Sequence, residues 1–456
     1  MSRPPGDRPN VVVFFTDQQR WDSMGLHGNP LDLTPNLDRA AVHGTHAALA
    51  FTPQPVCGPA RACLQTGLYA TRLGCYRNTI PLPADARTLA HHFRDAGYAT
   101  GYIGKWHLAR DEDDFAVPPE FRGGYEYWLA ANVLEFCSEP YRTVMYDNDN
   151  RPVRFPGYRV DALTDAAIRY IDQRQEEPFF LFVSYLEPHF QNRIDDYPPP
   201  DGYRERYAGR WTPPDLAALG GSSAQHLGGY WGICKRLDEA FGRLLDALKS
   251  LNLLDDTVVA FTSDHGCHFK TRNSEYKRSC HDSSIRIPMV LRGPGFDGGG
   301  HIGQLISLLD LPPTLLDAAG LAVAAPGEMD GRSFLPLVRD KRADWPAEVF
   351  VQISEAQVGR AIRTQRWKYG VDAPHKDGRK DSSSDRYVEQ YLYDLEADPY
   401  ELTNLVGWTS HRQVADLCRE RLVRRMVQAG EAAAVIEPAL PIKSGQRRLT
   451  EDEIRA

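Results

Sequence analysis

Residues 56–67 read Val-Cys-Gly-Pro-Ala-Arg-Ala-Cys-Leu-Gln-Thr-Gly, and the other motifs of the chain are organised around this stretch. Cys57, Pro59 and Arg61 form the pattern Cys-x-Pro-x-Arg, and the pattern predicts a helix from about residue 59 to residue 66. A cysteine just ahead of such a helix is either a small packed hydrophobe or a reactive group. Five fixed letters by themselves leave both alternatives open.

Four apolar runs predict the buried parallel strands of an α/β fold, because they are rich in β-branched and aromatic residues and lack alternation. Polar residues follow each run, at the edge of the sheet where open α/β folds bind ligands. The runs and their polar ends are residues 10–16 with Asp17 and Gln18, residues 98–104 with Lys105 and His107, residues 178–186 with His189, and residues 256–263 with Asp264 and His265.

Each polar end has an ordinary structural explanation when it is taken alone. Asp17 and Gln18 offer adjacent oxygen ligands that suit a hard divalent cation, but an aspartate there is more typical of a strand-end turn or a helix cap. His189 fits a structural histidine that bonds to a backbone carbonyl. The functional interpretation therefore depends on the convergence of all the motifs at one edge of the sheet.

Together with Cys-x-Pro-x-Arg, these motifs resemble the type I sulfatases of the alkaline phosphatase superfamily. Thr-Pro-Asn-Leu-Asp at residues 34–38, Gly-Lys-Trp-His-Leu at residues 104–108 and Ser-Asp-His-Gly at residues 263–266 are similar to segments of that family. The resemblance runs from residue 10 to about residue 405. It implies an alkaline-phosphatase-like α/β fold: a mixed, mostly parallel sheet sandwiched by helices, with a smaller C-terminal α+β subdomain that carries an antiparallel sheet.

The apolar pattern pauses around residues 340–346, and this pause predicts the boundary between two parts of the chain. Residues 1–345 would form the catalytic domain, and residues 346–456 the C-terminal subdomain with an antiparallel sheet, a helix and a charged tail. Residues 110–159 show no clear periodicity and are interpreted as loops and short elements over the cleft. Residues 191–221 are rich in proline and tyrosine and are interpreted as a lid or a substrate-facing loop.

The resemblance implies that a formylglycine-generating maturation enzyme oxidises Cys57 to Cα-formylglycine, whose hydrate carries two hydroxyls on one carbon. One hydroxyl attacks the sulfur of the ester, and the second then expels the sulfate. Release therefore breaks a carbon–oxygen bond instead of a sulfur–oxygen bond, and the aldehyde is regenerated.

The resemblance also implies a divalent cation at residue 57, with Asp17, Gln18, Asp264 and His265 as its other ligands. Ca2+ is the usual ion of the family, and the histidine ligand leaves Mn2+ or another divalent ion open. The remaining implied roles are Arg61 and Lys105 at the diol, Lys105 and Lys277 at the sulfate, His189 with Lys277 at the leaving alcohol, and His107 as the base that helps to expel sulfate. Arg278 competes with Lys277 only if the spacing slips by one residue.

Composition excludes several classes of partner. The chain has 456 residues, a net charge of -8 and no dense basic cluster, so nucleic acid is not an expected partner. The first ten residues lack the apolar segment of a secretory signal, and no run is long enough to cross a bilayer. Eight scattered cysteines fit reduced thiols. The sequence therefore predicts a cytoplasmic protein without membrane contact, and it leaves the oligomeric state open.

The sequence thus predicts a sulfatase that hydrolyses a sulfate ester, with a sulfated mono- or oligosaccharide as the favoured substrate. Two alternatives stay open. One is a phosphonate monoester or phosphodiester hydrolase on the same scaffold, because Gln18 and His265 depart from the commonest residues of the family. The other is a noncatalytic sulfoglycan-binding protein in which Cys57 remains a thiol.

Overall fold

The computed structural model describes residues 8–110, 115–322 and 327–442, and in these ranges the strands form two sheets. The strands of the larger sheet are β1 Asn10–Asp17, β2 Thr45–Phe51, β3 Ala99–Lys105, β4 Tyr127–Ala131, β5 Thr143–Tyr146, β6 Pro152–Phe155, β7 Phe179–Pro188, β8 Thr257–Ser263, β9 Arg286–Ile287, β10 Met289–Arg292 and β11 Gly300–Ser307. The strands of the smaller sheet are β12 Glu348–Ile353, β13 Gly359–Thr364, β14 Trp367–Asp372, β15 Arg386–Asp394 and β16 Val435–Glu437.

Helices of very different lengths connect these strands. Their bounds are α1 Pro35–His43, α2 Cys57–Thr66, α3 Ala70–Leu73, α4 Leu89–Asp95, α5 Leu134–Cys137, α6 Arg159–Gln173, α7 Tyr203–Tyr207, α8 Pro214–Ala218, α9 Ser223–Ser250, α10 Asp282–Ile285, α11 Leu311–Ala318, α12 Leu335–Arg339 and α13 Arg412–Gln428. No helix in the described ranges has the combination of length and apolar character that a bilayer crossing requires.

The four predicted strands lie side by side at the centre of the larger sheet, in the order β8, β1, β7, β3, and all three pairings are parallel. Every residue of β1 and β7 is buried, which explains their continuous apolar sequence. Antiparallel pairs at β10 and β5 make the complete sheet mixed. Because the carboxyl ends of parallel strands meet at one edge, the polar residues that follow these four strands come together there.

Helices cover both faces of the larger sheet, as the resemblance implied. Val12 and Phe14 of β1 belong to one core with buried residues of α1, α6 and α9. Val11, Val13 and Phe15 point to the other face and belong to a core with residues of α2, α4 and α11. The alternation of side chains along one strand thus joins the central strand to both helical layers.

The smaller sheet has the order β12 to β16, and its neighbouring strands are antiparallel except for β15 and β16, which are parallel. This confirms the predicted C-terminal antiparallel sheet. Its core also includes residues from the first part of the chain, since Cys63 and Tyr69 pack in one cluster with Phe350 and Tyr369. The division at residue 345 stays a prediction, and the predicted charged tail lies mainly outside the described residues.

Two loop predictions need correction. Residues 115–159 contain short elements, as predicted, but β4, β5 and β6 extend the larger sheet and do not lie over the cleft. Each of these strands has only four or five residues, too few for an alternating pattern to stand out. The segment around α5 does face the cavity described below, which Val133, Glu135 and Phe136 line. Residues 111–114 lie outside the described ranges.

The segment from residue 191 to residue 221 is also not simply a lid. Tyr197, Tyr207 and Leu216 are buried in the core that contains α9, so most of the segment packs against that helix. Its buried tyrosines therefore pack in the core beside α9. Asn192, near the start of the segment, lines the cavity described below.

Candidate active site

Cys57 is the first residue of α2, which begins two residues earlier than the predicted start at residue 59. Its side chain is buried, with the residue 1% exposed. The Sγ atom lies 2.7 Å from Lys277 Nζ, 3.3 Å from His265 Nε2 and 3.6 Å from Asp17 Oδ1. Residues that are widely separated in sequence thus converge on this thiol.

A group of potential metal ligands surrounds Cys57. One ligand atom each from Asp17, Cys57, Asp264 and His265 lies within 4.8 Å of all the others, and all four residues are buried. The backbone N–H of Gln18 donates to Asp264 Oδ1 over 2.9 Å, which brings the fifth predicted ligand residue to the same place.

Two side-chain oxygens of this group have no hydrogen bond within the described ranges and are the kind of ligand that a divalent cation binds. The amide nitrogen of Gln18 is engaged by Tyr197, since Nε2 donates to the hydroxyl over 2.9 Å and lies 3.3 Å from Cys267 Sγ. Gln18 Oε1 and Asp264 Oδ2 are buried without a hydrogen-bond partner among the described residues. Buried oxygens normally have partners, so these two atoms fit the ligands of a hard cation.

The electrostatics of the group also favour a cation. Burial and the neighbouring Asp17 carboxylate raise the pKa of Asp264 well above its ordinary value. Burial and the cation of Lys277 lower the pKa of His265 to about 4, so this imidazole is neutral at pH 7. Its Nδ1 donates to the carbonyl of Gly266 over 2.9 Å, which leaves the lone pair on Nε2, 3.1 Å from Lys277 Nζ. A divalent ion would compensate the buried carboxylates and accept that lone pair.

Arg61 connects α2 to three strands of the sheet. Its Nη2 atom donates to Asp17 Oδ2 over 2.9 Å, and Nη1 donates to the carbonyl of Lys105 and to Ser184 Oγ over 2.9 and 2.7 Å. Burial and Cys57 raise the pKa of Asp17, but the cations around it, including Lys105 and Arg61, outweigh them and hold that pKa well below its ordinary value. Asp17 is therefore ionised at neutral pH.

Lys105 is fully buried between two carboxylates. Its Nζ atom lies 2.8 Å from Asp17 Oδ2 and 2.8 Å from Glu135 Oε1. Burial raises the pKa of Glu135, but the charge of Lys105 outweighs that effect and the pKa is lowered. The sequence prediction missed Glu135 because it is a single acidic residue in the four-residue helix α5, with no motif around it.

The two remaining histidines also lie at the thiol end of the site. His189 Nε2 lies 3.3 Å from Lys277 Nζ, while its Nδ1 is 2.7 Å from the carbonyl oxygen of Phe190 and donates to it. His107 is in the left-handed region with a φ of 59°, and its Nδ1 is buried without a partner among the described residues. Both histidines and Lys277 line the same cavity as Cys57.

Lys277, and not Arg278, is the cation at Cys57. The next residue, Arg278, turns away and pairs with Glu355 and Glu275. A φ of 70° at Arg278 marks the turn of the backbone between the two side chains. The alternative in which the spacing slips by one residue is therefore excluded by the geometry.

A cavity of about 380 Å3 opens from Cys57. Its inner residues include Cys57, Glu135, His107, His189 and Lys277, and its outer residues include Arg77, Asn78, Thr79, Glu275, Arg278, Glu355 and Arg379. A larger cavity of about 820 Å3 lies at the start of β1, around Asn10, and contains none of the predicted site residues. The smaller cavity is therefore the candidate active site.

Comparison with protein families agrees with this geometry. A family model described as Sulfatase matches residues 9–321, and a model described as N-sulphoglucosamine sulphohydrolase, C-terminal, matches residues 274–428. An ulvan-active sulfatase of Formosa agariphila is 30% identical over 444 residues, which cover 93% of this chain and 82% of that protein. An N-acetylglucosamine-6-O-sulfatase of Bacteroides thetaiotaomicron is 24% identical, with 88% and 83% covered.

Solved structures show the same fold. A sulfatase structure named yidJ from Bacteroides fragilis has a TM-score of 0.82 and 25% identity, and the match covers 94% of this chain and 98% of that one. The phosphonate monoester hydrolase of Agrobacterium radiobacter has a TM-score of 0.71 and 24% identity, with 92% and 96% covered. The second likeness shows a shared fold alone.

Proposed function

The chain belongs to the sulfatase family and is a sulfuric ester hydrolase, and from this premise we propose that its substrate is the sulfate ester of a saccharide. The names of two relatives support the saccharide, since one acts on ulvan and the other on N-acetylglucosamine 6-sulfate. The observation that carries the proposal is the contact of Cys57 with Lys277 and His265 inside a buried group of acidic residues.

We propose that Cys57 is the residue converted to Cα-formylglycine by a maturation enzyme, because it opens α2 within the Cys-x-Pro-x-Arg pattern. The converted side chain would supply two hydroxyls on one carbon, one to attack sulfur and one to expel sulfate.

Asp17, Gln18, Asp264 and His265 would hold the divalent cation, with Ca2+ as the first candidate and Mn2+ as the second. Once bound, the ion would supply positive charge next to residue 57 and to the sulfate oxygens. Gln18 Oε1 and Asp264 Oδ2 support this assignment, since neither has a hydrogen-bond partner among the described residues and the nearest cation to Asp264 Oδ2 there is Arg61 Nη2 at 3.5 Å.

Three basic residues would supply positive charge to the active site. Arg61 and Lys105 hold Asp17 in its ionised form and place positive charge beside residue 57. Lys277 is the cation at the open side of residue 57 and would bind a sulfate oxygen.

His189 and Lys277 together would protonate the leaving alcohol, with the Lys277 ammonium as the source of the proton. The Nδ1 atom of His189 is committed to the carbonyl of Phe190, which leaves Nε2 on the cavity side next to Lys277. His107 would take the proton from the second hydroxyl of the converted residue, and its buried, unpartnered Nδ1 supports a role in proton transfer.

All eight cysteines are free, and unpaired thiols are typical of a reducing compartment. On that basis we infer that the protein acts in the cytoplasm. Its substrate there would be a mono- or short oligosaccharide that has already entered the cell.

The proposal is tested by expressing the chain with and without a formylglycine-generating enzyme. Conversion lowers the intact mass by about 18 Da, because sulfur is replaced by oxygen with loss of two hydrogens. The converted protein should release sulfate from N-acetylglucosamine 6-sulfate or another member of a panel of regiospecifically sulfated sugars, and the thiol form should not. Sulfate release that does not depend on conversion would contradict the assigned nucleophile.

The same protein samples discriminate the two alternatives. Faster hydrolysis of a phenyl phosphonate ester than of any sulfate ester would favour the phosphonate hydrolase, for which Gln18 and His265 in the ligand group are the supporting observation. Tight binding of a sulfated sugar by a protein whose Cys57 stays a thiol after co-expression would favour the noncatalytic alternative.

A further inference from the structure

Hydrogen bonds connect three loops of the outer wall of the cavity: the loop after α3, the loop between β12 and β13, and the loop between β14 and β15. The hydroxyl of Tyr76 donates to the carbonyl of Lys380 over 2.7 Å. The N–H of Glu355 donates to the carbonyl of Gly378 over 2.8 Å, and Glu355 Oε1 accepts from the N–H of Asn78 over 2.7 Å. The first bond joins the loop after α3 directly to the loop between β14 and β15, and Glu355, in the loop between β12 and β13, connects Asn78 to Gly378. Arg77 and Arg379 therefore lie in loops that are bonded to each other.

This wall carries three guanidinium groups, from Arg77, Arg278 and Arg379, and two carboxylates, from Glu275 and Glu355. Both carboxylates are already engaged by Arg278, whose Nη1 lies 2.7 Å from Glu275 and whose Nε lies 2.8 Å from Glu355. One guanidinium is thus shared by two carboxylates, and the three positive and two negative groups leave the wall with a net positive charge.

Arg77 and Arg379 form no ion pair with a carboxylate among the described residues, although the Asp377 carboxylate lies close enough to Arg379 for this charge to help to lower its pKa. Arg77 Nη1 donates to the carbonyl of Asn78 over 3.2 Å and to the hydroxyl of Thr79, and its Nε is buried without a partner. The Arg379 guanidinium makes no hydrogen bond or ion pair within the described ranges and is exposed at the mouth of the cavity. Two guanidinium groups that form no ion pair within the described ranges thus line one wall.

We propose that Arg77 and Arg379 bind a second anionic group on the substrate, a carboxylate or another sulfate, while the ester to be cleaved lies at Cys57. Guanidinium groups form paired hydrogen bonds with planar or tetrahedral oxyanions and are always charged. The cavity of about 380 Å3 has room for more than one sulfate group. This inference rests on the proposed function and narrows its substrate to saccharides with at least two negative charges.

The test is a binding experiment, so that it does not depend on turnover. In the Cys57→Ala background, calorimetry would compare N-acetylglucosamine 6-sulfate with two dianionic probes. The first is glucosamine 2-N,6-O-disulfate, and the second is a disaccharide that joins N-acetylglucosamine 6-sulfate to a uronic acid. We expect at least one dianionic probe to bind about 10-fold more tightly than the monosulfate, because a second charge-assisted contact contributes on this scale.

The double variant Arg77→Gln/Arg379→Gln should remove most of that preference. Lys380→Gln is the control for a loss of charge near the cavity. It removes one positive charge, where the double variant removes two, and Lys380 is the exposed residue next to Arg379 that pairs with Asp377 and does not line the cavity. Preference for the disulfate identifies a second sulfate as the recognised group, and preference for the uronic acid disaccharide identifies a carboxylate.

Three results would overturn the inference: equal affinity for all three probes, failure of both dianionic probes to bind, or a loss of preference in the double variant no larger than in Lys380→Gln. Failure of the converted wild-type protein to release sulfate would contradict the proposed function instead, because the binding comparison does not involve conversion of Cys57.

Discussion

The Nζ atom of Lys277 lies 2.7 Å from the Sγ atom of Cys57, although 220 positions separate the two residues. Burial alone would raise the pKa of the Cys57 thiol, but the charges of Lys105 and Lys277 hold it well below its ordinary value of 9.0. The unconverted cysteine is therefore a buried thiolate that the surrounding cations stabilise.

The first prediction concerns the nucleophile. Cys57→Ala should abolish sulfate release and leave the fold intact, because it removes a single sulfur atom and Lys277 keeps its contacts with His189 and His265. Cys63→Ala, in the same helix, is the control: Cys63 packs toward the smaller sheet, so its loss should cost about 1 kcal/mol of stability and preserve turnover. Turnover assays and thermal unfolding of both variants provide the measurement. An active Cys57→Ala protein would refute the proposed nucleophile.

The second prediction separates metal binding from catalysis. Burial and Asp17 disfavour the charged form of Asp264, so Asp264→Asn should leave the unfolding midpoint of the metal-free protein unchanged or raise it. Ca2+ should stabilise the wild type by about 2.7 kcal/mol at one hundred times its dissociation constant, and it should stabilise the variant much less.

Thermal unfolding with chelator and with added Ca2+ or Mn2+ measures both effects. Asp172→Asn removes an exposed carboxylate and serves as the control, with an unchanged response to metal. If Asp264→Asn keeps the full metal response, the proposed ligand set is wrong.

The third prediction concerns Glu135, the residue that sequence analysis missed. Glu135→Gln keeps a hydrogen bond to Lys105 but removes one of the two charges that compensate this buried cation. We expect a loss of about 1–3 kcal/mol in the free energy of unfolding and at least a ~10-fold lower kcat, because Lys105 would shift toward Asp17. Urea unfolding and steady-state kinetics measure the two effects. Glu139→Gln, at an exposed site, should change neither, and equal behaviour of the two variants would contradict the assigned role.

The fourth prediction compares two glycines with positive φ. A Cβ atom at Gly104 would lie 2.0 Å from the carbonyl oxygen of Ser184, on the neighbouring strand β7, whereas a Cβ at Gly74 has no heavy atom within 4 Å. Gly74→Ala should cost about 1–2 kcal/mol, from backbone conformation alone. Gly104→Ala should cost more than about 3 kcal/mol and reduce activity, because it separates β3 from β7 beside Lys105. Similar unfolding midpoints for the two variants would show that separating β3 from β7 does not lower the free energy of unfolding, and would contradict the prediction.

The fifth prediction is a pH dependence of stability. Burial, His301 and Arg286 lower the pKa of His46 from 6.5 to about 4, and its Nε2 lies 2.8 Å from that of His27, whose pKa is lowered too. A histidine with a lower pKa in the folded chain takes up a proton on unfolding. Its contribution to stability is therefore complete above pH 6.5 and is lost as the pH falls toward 4.

At pH 5 this loss is on the order of 2 kcal/mol for His46. His46→Gln should reduce the fall in unfolding midpoint between pH 7.5 and pH 5, whereas His43→Gln, at an exposed position, should show the wild-type fall. The same pH dependence in all three proteins would rule out His46 as a contributor.

The central strands could be predicted because β1 and β7 are buried on both faces and therefore have an unbroken apolar sequence. Their polar ends could be predicted as neighbours because parallel strands finish at one edge. Partners that meet only through the order of the strands could not be predicted. Glu135 reaches Lys105 because β4 lies next to β3. Arg77 and Arg379 are far apart in sequence and line the same cavity because the smaller sheet packs beside α2.

The hydrogen bonds between Tyr76 and Lys380 and between Glu355 and Gly378 hold the loop between β14 and β15 at the cavity, so one part of the outer wall, with Arg379, belongs to the smaller sheet. Substitutions in the loop between β14 and β15 can therefore alter which sugar is accepted without changing the groups that act on sulfur. Exchanging that loop between homologous enzymes would be a direct route to redesigning their selectivity while the hydrolytic machinery is kept as it is.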